Sequence, residues 1–298
     1  MTVNAEEICV AHLVRRVNDF AAFRAFLESY RSCPAGIAHQ LLIIFKGFSR
    51  EAQLAPYDEL LKDFSHQRAF VRDAGFDVRP YVKVARDYPY RFFAFLNSFS
   101  RVLVPGWLEA MYRHVRRPRV GIVGATGSHQ SILADFQMLR FEFRPSRSLL
   151  WRAAAIGFRH ARYFALTRGR FTGFPNYHVR TNGFLVSRDI MSKIRCGPVL
   201  TKWDAYRFES GAAGMTPQIM AAGLTPLVVG ADGVAYEPEN WPDARTFWIS
   251  RQENLLISDN QTRAYTNGSE ALRDRLAFHA WRRRPDGTPR QDLPPLSS

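Results

Sequence analysis

The sequence has few cysteines, no long apolar run and fewer acidic than basic residues. Its three cysteines, Cys9, Cys33 and Cys196, are odd in number and far apart, which argues against a disulfide framework and against a cysteine metal site. No run of about 18 uncharged apolar residues occurs, so a membrane-spanning helix is not expected. The first residues carry two acids where a secretory signal would carry bases. We therefore expect a cytoplasmic globular protein.

The composition supports a large folded core. The chain has 298 residues, of which 46% are hydrophobic and 23% charged, so it is not globally disordered. At about 100–200 residues per domain, this length predicts one large domain or two small ones.

The net charge of +14 comes from three segments, Arg113–Arg119, Arg140–Arg170 and Ala271–Ser298. Such clusters attract nucleic acid, anionic lipid head groups or phosphorylated substrates. No RNA-binding signature, zinc spacing or recognition helix accompanies them, which argues against nucleic acid. In the middle segment, Ser148–Leu166 has the spacing of a helix with Arg between Trp, Phe and Leu. That pattern is typical of a helix at an anionic membrane surface, although an ordinary amphipathic surface helix fits equally well.

Apolar periodicity predicts an α/β protein with a mainly parallel sheet covered by helices on both faces. The strands predicted in the first half are Ile8–Val14, His39–Phe45, Phe76–Val84, Tyr90–Leu96 and Arg119–Val123. The helices predicted there follow Asn18 or Asp19, span Tyr57–Ala74 and Trp107–Val115, and start again at Ser131.

The second half is less regular. Strands are predicted over His178–Val186 and Leu224–Val229, a helix over Thr216–Ala222, and loop or edge structure over Trp241–Trp248. One further helix ends near Trp281 and is followed by a Pro-rich tail for which we expect disorder.

Two segments are candidates for ligand binding at strand ends. Gly121–Gly127 follows a strand and could bring backbone amides close to a pyrophosphate, as in a dinucleotide fold, but its G-x-x-G-x-x-G spacing equally suits a tight turn. The polar residues Asn97, Ser98 and Ser100 follow the Tyr90–Leu96 strand, where open α/β sheets bind ligands, although such residues also make ordinary turns.

Other polar residues have comparable alternatives. Glu209 lies in a Gly-rich segment and could act as a general base, or simply favour a helix dipole. The Ser258–Thr262 segment could bind a sugar or form an Asx-turn, and His12 and Arg15 follow the first strand. The sequence has neither a Cys/His metal constellation nor a G-x-S-x-G elbow.

Taken together, the order of these segments resembles GT-A-type bacterial glycosyltransferases, family-2-like enzymes and their relatives. The segments that carry the resemblance are Ile8–Arg15, His39–Phe48, Arg91–Trp107, Gly121–Ser131, Pro175–Arg188, Phe208–Gly230 and Asn254–Tyr265. The resemblance implies a GT-A-like, Rossmann-like fold, with a nucleotide-sugar-binding half over residues 1–130 and an acceptor-binding and catalytic half of the same domain over 131–268. A C-terminal helix and flexible tail would occupy 269–298.

The resemblance also implies site residues. Donor-binding residues would be His12, Arg15, Lys46, Asn97, Ser98, Ser100 and Thr126. Acceptor-binding residues would be Arg180, Thr181, Asn182, Asp259 and Asn260, with Glu209 as the catalytic base. Such enzymes usually carry an Asp-x-Asp that holds a divalent metal, and here Asn97 and Ser98 replace the carboxylates, which leaves metal dependence open.

The implied activity is transfer of a sugar, hexosyltransferase-like and inverting, from a nucleotide sugar to a hydroxyl of a glycan or lipid-linked acceptor in cell-surface polysaccharide synthesis. The Arg140–Arg170 segment would hold the enzyme on the inner face of an anionic membrane. Two alternatives stay open: an NAD(P)-dependent oxidoreductase that uses Gly121–Gly127, and a non-catalytic protein that binds nucleotide sugars or glycans.

Overall fold

The computed structural model describes residues 7–49, 53–75, 77–135, 167, 169–199 and 201–290. The strands are β1 Ile8–Arg15, β2 Gln40–Lys46, β3 Gln67–Val71, β4 Phe92–Leu96, β5 Arg101–Val102, β6 Val120–Gly124, β7 Gly127–Ser128, β8 His178–Val179, β9 Gly183–Ser187, β10 Thr225–Val229, β11 Ala235–Tyr236 and β12 Ile257–Ser258. The helices are α1 Phe20–Ser32, α2 Ala55–Leu61, α3 Val78–Asp87, α4 Trp107–Val115, α5 Arg188–Lys193, α6 Lys202–Ser210, α7 Met215–Ala221, α8 Asn260–Thr266 and α9 Glu270–Trp281, with a 3-10 helix over Pro238–Ala244.

Eight strands form one sheet in the order β11-β10-β6-β9-β4-β1-β2-β3. Six of them run parallel, while β9 is antiparallel to both β4 and β6, and β11 is antiparallel to β10. The predicted α/β class with a mainly parallel sheet flanked by helices is therefore confirmed.

Successive side chains of a strand point to opposite faces of the sheet, and here each face carries a buried apolar core. In β1, Cys9, Ala11 and Leu13 pack on the face that α3, α7 and α9 cover. Ile8 and Val10 pack on the opposite face, against α1, α2 and α4. The six parallel strands thus read as nearly continuous apolar runs because both of their faces are buried.

Local sequence explains where the first helix begins. Asp19 caps α1, and its Oδ1 accepts a hydrogen bond of 2.9 Å from the backbone N–H of Ala21. Phe23, Phe26 and Leu27 follow at helical spacing and are buried.

The predictions over Tyr57–Val84 were only partly right: Tyr57–Leu61 is helical, as part of α2, but the rest differs. The chain forms β3 within the expected Tyr57–Ala74 helix, and it forms helix α3 where Phe76–Val84 was expected to be a strand. β3 lies at the end of the sheet and buries only Ala69 fully, so its sequence lacks the apolar run of an inner strand. In α3, Val78, Pro80, Val82 and Val84 recur at every second position, so the apolar residues fit the period of a strand as well as that of a helix.

In the second half, the predicted His178–Val186 strand is two strands, β8 and β9, separated by a turn. The α7 and β10 predictions are confirmed within one residue at each end. The C-terminal helix ends at Trp281 as expected, but residues 282–290 turn back on themselves, with a bridge between Arg283 and Pro289. Expected disorder is therefore wrong for those nine residues.

The predicted Ser148–Leu166 helix lies outside the described residues, as does most of Arg140–Arg170. Among the helices that are described, none has both the length and the apolar character needed to cross a membrane.

Candidate active site

Polar residues from several strands meet at the edge of the sheet where the six parallel strands end, which we call the carboxyl edge. Because β9 runs in the opposite direction, it begins at this edge. The predicted site residues next to these strand ends are Arg15, Lys46, Asn97, Ser98, Thr126, Thr181 and Asn182. Ligands of open α/β sheets bind at this edge.

A buried lysine lies at the end of β2. Its Nζ is 3.6 Å from Oδ1 of Asp73, and Nη2 of Arg15 lies 3.2 Å from the same oxygen. The Lys46 side chain is only 1% exposed. Burial lowers the pKa of Lys46 and Arg15 lowers it further, while Asp77 and Asp73 act in the opposite direction. Two cations and two carboxylates therefore share one corner of the carboxyl edge.

Asp77 is a residue of this corner that the sequence analysis missed. It precedes α3, and its side chain makes no capping hydrogen bond to that helix. Burial raises the pKa of Asp77, Lys46 and Arg15 lower it, and Glu209 raises it, so Asp77 lies within electrostatic range of Glu209. The wrong strand prediction hid Asp77, although an acid that follows a strand and begins a helix is a recognisable signal.

His12 does not reach the open part of this edge. Its ring stacks on Phe26 of α1 with centroids 3.6 Å apart, and the side chain is fully buried. The β1 register explains this, because even-numbered residues face α1. Neither ring nitrogen has a hydrogen-bond partner in the described part of the chain, and burial lowers the pKa of His12 to about 3. A small cavity beside β1 has His12, Arg15 and Ser98 among its lining residues.

The polar residues after β4 form a tight turn. The Asn97 Oδ1 accepts hydrogen bonds from the Phe99 N–H at 2.8 Å and from the Ser100 hydroxyl at 3.1 Å, while its Nδ2 lies 3.5 Å from Oδ2 of Asp259. The Ser98 hydroxyl is buried and has no partner among the described residues.

This turn does not fit a divalent metal. The one oxygen of the Asn97 side chain already accepts two hydrogen bonds, and its amide N–H₂ faces the neighbouring Asp259 carboxylate. Hard cations need several oxygen ligands, usually carboxylates. Across the described residues, no group of three His, Cys, Asp or Glu side chains could hold a metal.

Asn182 connects four segments at the carboxyl edge. Its Oδ1 accepts a hydrogen bond of 2.6 Å from the Thr126 hydroxyl, and its Nδ2 donates one of 2.9 Å to the Ile257 carbonyl. Its own carbonyl accepts a hydrogen bond from the Ser100 hydroxyl. Thr126, Asn182 and Ser100 are buried, and these bonds hold the start of β9 against the ends of β4 and β6. The polar atoms of these residues thus hydrogen-bond to other parts of the chain and hold the strand ends together.

Glu209 is held at two points. It lies in the last turn of α6, rather than in the loop that was predicted. Its Oε1 accepts a hydrogen bond of 3.2 Å from the Thr181 N–H and lies 3.7 Å from Nη2 of Arg180. The side chains of Glu209 and Arg180 are 16% and 17% exposed. The carboxylate is therefore fixed in position yet accessible from outside.

Arg180 rests on two aromatic rings. Its guanidinium lies 4.7 Å from the Phe247 ring centre and 5.8 Å from that of Trp248. A planar cation stacked in this way keeps its orientation with little further loss of entropy. Sequence analysis gave no hint of these aromatic residues, since they come from the segment expected to be loop or edge structure.

Backbone strain is concentrated in the segment that carries these rings. Arg245, Trp248, Ser250 and Gln252 all have φ between 48° and 53°, the left-handed region that non-glycine residues seldom adopt. The Gln252 side chain helps to hold this strained backbone, because it accepts a hydrogen bond from the Trp248 N–H and donates one to the Thr262 carbonyl. Strained residues often occur at functional sites, where surrounding contacts hold them.

The two remaining predicted residues belong to α8. Asp259 caps this helix, and its Oδ1 accepts from the N–H groups of Gln261 and Thr262 at 3.0 and 2.9 Å. Asn260 begins the helix and is exposed. Asp259 thus serves mainly as a cap, with its second oxygen facing Asn97.

The glycines of Gly121–Gly127 serve close packing. A Cβ atom on Gly121 would lie 2.3 Å from Ile219, one on Gly124 would lie 2.5 Å from Val179, and one on Gly127 would lie 2.4 Å from Trp241. Gly127 belongs to β7, which pairs with β8, so no helix begins directly after the motif. The segment therefore lacks the geometry of a dinucleotide phosphate loop.

Comparison with known proteins gives similarity in structure only. No family model and no curated protein sequence matches the chain. Among solved structures, the mannosyltransferase PcManGT from Pyrobaculum calidifontis, in complex with GDP-Man and Mn²⁺, is 10% identical; the match covers 92% of this chain and 69% of that one, with a TM-score of 0.46.

Two further structures are similar over smaller shares of the chain. The 4-diphosphocytidyl-2C-methyl-D-erythritol synthase from Anaerococcus prevotii is 8% identical, over 76% of this chain and 89% of that one, with a TM-score of 0.42. Mouse xyloside xylosyltransferase 1 is 14% identical, over 62% and 68%, with a TM-score of 0.36. The sheet of this chain is mainly parallel, with β9 reversed between β4 and β6, which agrees with the predicted α/β class.

Proposed function

We propose that this protein is a glycosyltransferase that transfers a sugar from a nucleotide-sugar donor to a hydroxyl of a glycan or lipid-linked acceptor in cell-surface polysaccharide synthesis. The observation that supports this proposal is the fixed Glu209 carboxylate at the carboxyl edge, held by Thr181 and Arg180 within electrostatic range of Asp77. Asp77 in turn interacts electrostatically with Lys46 and Arg15, so carboxylates and cations lie together at this edge.

In the proposed reaction Glu209 is the general base. Its carboxylate removes the proton from the acceptor hydroxyl as that oxygen forms a bond to the anomeric carbon of the donor sugar. The bond between this carbon and the diphosphate oxygen breaks, and the nucleoside diphosphate leaves with the electron pair. One displacement inverts the configuration at the anomeric carbon.

Cationic side chains would neutralise the departing diphosphate. Arg15 and Lys46 meet at the ends of β1 and β2, and Arg180 lies on the acceptor side beside Glu209. Fixed charges that face developing negative charge lower the barrier without reorganising. Since the Asn97 turn does not fit a divalent cation, no step of the reaction is assigned to one.

Donor and acceptor would approach from different sides. The donor side is formed by His12, Arg15, Lys46, Asn97, Ser98, Ser100 and Thr126, and the acceptor side by Arg180, Thr181, Asn182, Asp259 and Asn260. Among these, the buried His12, Ser100, Thr126 and Asn182 would act by shaping the edge rather than by touching a ligand. Arg140–Arg170 would attract the protein from the cytoplasm to the inner face of an anionic membrane, near a lipid-linked acceptor.

The proposal is tested by nucleotide-sugar turnover. UDP-, GDP-, dTDP- and CMP-sugars are screened for protein stabilisation on heating, and the sugars that stabilise it are assayed for transfer and for hydrolysis. Glu209→Gln keeps an oxygen for the Thr181 N–H but is a far weaker base, so kcat should fall by about 10²- to 10⁴-fold while donor binding persists.

The matched control is Glu28→Gln, which changes an exposed glutamate on α1 and should leave kcat unchanged. Glu209→Gln activity within a few-fold of the unaltered protein would disprove the base assignment. Binding of a nucleotide sugar without any turnover would favour the non-catalytic alternative, and binding of none of them would contradict the proposal as a whole.

A further inference from the structure

A second cavity lies at the opposite edge of the sheet, where the parallel strands begin. We call this the amino edge. Its volume is about 870 Å³, which is within the range of small-molecule sites. The walls come from the residues that precede β1 and β4, the start of β6, the end of β9 and the last turns of α4. It is thus separated from the carboxyl edge by the full length of the strands.

Five charged residues line this cavity: Arg91, Arg116, Arg188, Glu7 and Asp189. Arg188 is tied down, since its Nε and Nη2 donate to the carbonyls of Ala85 and Arg86 at 3.1 and 3.3 Å. Glu7 accepts a hydrogen bond of 2.7 Å from the Tyr112 hydroxyl and lies 3.5 Å from Arg91. The cations therefore outnumber the acids on the walls.

Two of these arginines are available to a ligand. The Arg91 side chain is 74% exposed, and its contact with Glu7 is long. Arg116 is exposed and stacks on Tyr112 with 5.3 Å between its guanidinium carbon and the ring centre. In the part of the chain that the structure describes, Arg116 has no acidic partner within 4.0 Å.

The same surface continues into a basic segment. Arg113, Arg117 and Arg119 flank Arg116 at the end of α4 and before β6, and all three are exposed. None of them forms an ion pair with another described residue. This segment is one of the three that carry the net positive charge, so the field at the mouth of the cavity favours anions.

We propose that the amino-edge cavity binds a phosphate group carried by a small molecule, with Arg116 and Arg91 as its main contacts. Guanidinium groups present paired N–H donors that match the oxygens of a phosphate. A membrane surface would suit a convex or flat basic face, whereas this cavity is a concave groove, open on one side, that can hold one small ligand. The site is independent of the function proposed for the carboxyl edge.

The test is calorimetric titration of the full chain with glucose 1-phosphate at low ionic strength, with glucose as the uncharged comparison. Saturable binding of the phosphate and none of glucose is expected. Arg116→Ala and Arg91→Ala should each weaken binding by between about tenfold and a hundredfold, the usual range for a charged hydrogen bond. Both side chains are exposed, and circular dichroism would verify that the variants are folded.

The matched control is Arg24→Ala. Arg24 is also an exposed arginine that stacks on an aromatic residue one turn earlier in its helix, Phe20 at 5.6 Å, but it lies on α1. This variant should bind as the unaltered chain does. Glu209→Gln should also bind normally, since it lies at the carboxyl edge, and loss of binding in that variant would contradict the location.

Vesicles with and without phosphatidylglycerol distinguish a lipid head group from a free phosphate. Retention on the anionic vesicles that Arg116→Ala abolishes would support the phosphate site and identify lipid as its source. Two results would overturn the proposal: no Arg116-dependent binding of either probe, or equal affinity in the Arg116→Ala, Arg91→Ala and Arg24→Ala variants.

Discussion

At the scale of single residues, His12 is placed differently from what the sequence predicted. It was predicted to border the donor, yet it lies within β1 and is fully buried against Phe26. Its two ring nitrogens lack partners in the described residues, so burial costs free energy that a hydrocarbon ring would not incur.

Replacing His12 with Phe should therefore make the protein more resistant to acid. Because burial lowers the folded-state pKa from 6.5 to about 3, the unfolded chain binds more protons between these values, and stability falls as the pH drops. Between pH 7 and 5, the unaltered protein should lose about 2 kcal/mol more than His12→Phe. Urea unfolding at both pH values measures this difference.

Other buried histidines, His129 and His178, are present in both proteins, so their contributions cancel. Equal losses in the two proteins would show that folding does not lower the pKa of His12, and would contradict this prediction. If the variant also loses nucleotide-sugar binding, the donor role predicted for His12 gains support.

Sequence reasoning could single out Lys46, Glu209 and Thr181 because a polar residue next to an apolar run is recognisable in the sequence itself; their roles stay predictions. It could not find the rings of Phe247 and Trp248 beneath Arg180, since that contact joins residues far apart in the chain. It also missed Asp77, because a residue that begins a helix was assigned to a strand.

At the scale of elements, the Gly121–Gly127 segment shows that one motif can have two physical causes. The residues resemble a phosphate loop, but their missing side chains leave room for Ile219, Val179 and Trp241. Only the packing partners distinguish the two causes, and the sequence does not reveal these partners.

Gly127→Ala should therefore destabilise the fold by about 1–3 kcal/mol, because its Cβ would lie 2.4 Å from the Trp241 ring. Gly173→Ala is the control, since nothing lies within 4 Å of its added Cβ, and it should unfold at nearly the same urea concentration as the unaltered chain. If Gly127→Ala is equally stable but loses NADPH binding, the oxidoreductase alternative would be favoured.

Elements with one consistent periodicity were predicted well, among them α4, α7 and β10. The wrong predictions within Tyr57–Val84 concern two elements. One is an edge strand with little apolar character, and the other is a helix whose apolar residues also recur at every second position, as in a strand. Both patterns are ambiguous because the position of the segment in the fold decides whether it forms a strand or a helix.

At the scale of the whole molecule, one carboxylate joins distant parts of the chain. Asp135 lies 2.7 Å from Nη2 of Arg282 and 3.0 Å from Nδ1 of His279, which ties the C-terminal helix to the segment after β7. Burial alone would raise the pKa of Asp135, but the His279 hydrogen bond and the charges of His279 and Arg282 bring it below its ordinary value.

Asp135→Asn should lower the free energy of unfolding at pH 7 by about 3 kcal/mol, because it breaks a largely buried pair. A lowered pKa stabilises the fold above the unfolded-state value and loses this effect as the pH falls, so the difference should shrink below about pH 4. Asp63→Asn, which removes an exposed partner of Arg31, should cost less than about 1 kcal/mol. Equal costs for the two variants would contradict the linking role.

The reversed strand β9 also governs the order in which this chain can fold. β4 and β6 never pair with each other, and each needs β9 as its neighbour. During synthesis, one edge of β4 therefore stays unpaired while about 90 further residues are added, roughly 4.5–18 s at ordinary translation rates. An apolar strand with an open edge is a template for aggregation. A fragment that ends near residue 130 would keep that edge permanently, so residues 1–130, predicted to be the nucleotide-sugar-binding half, are not a separable unit for expression.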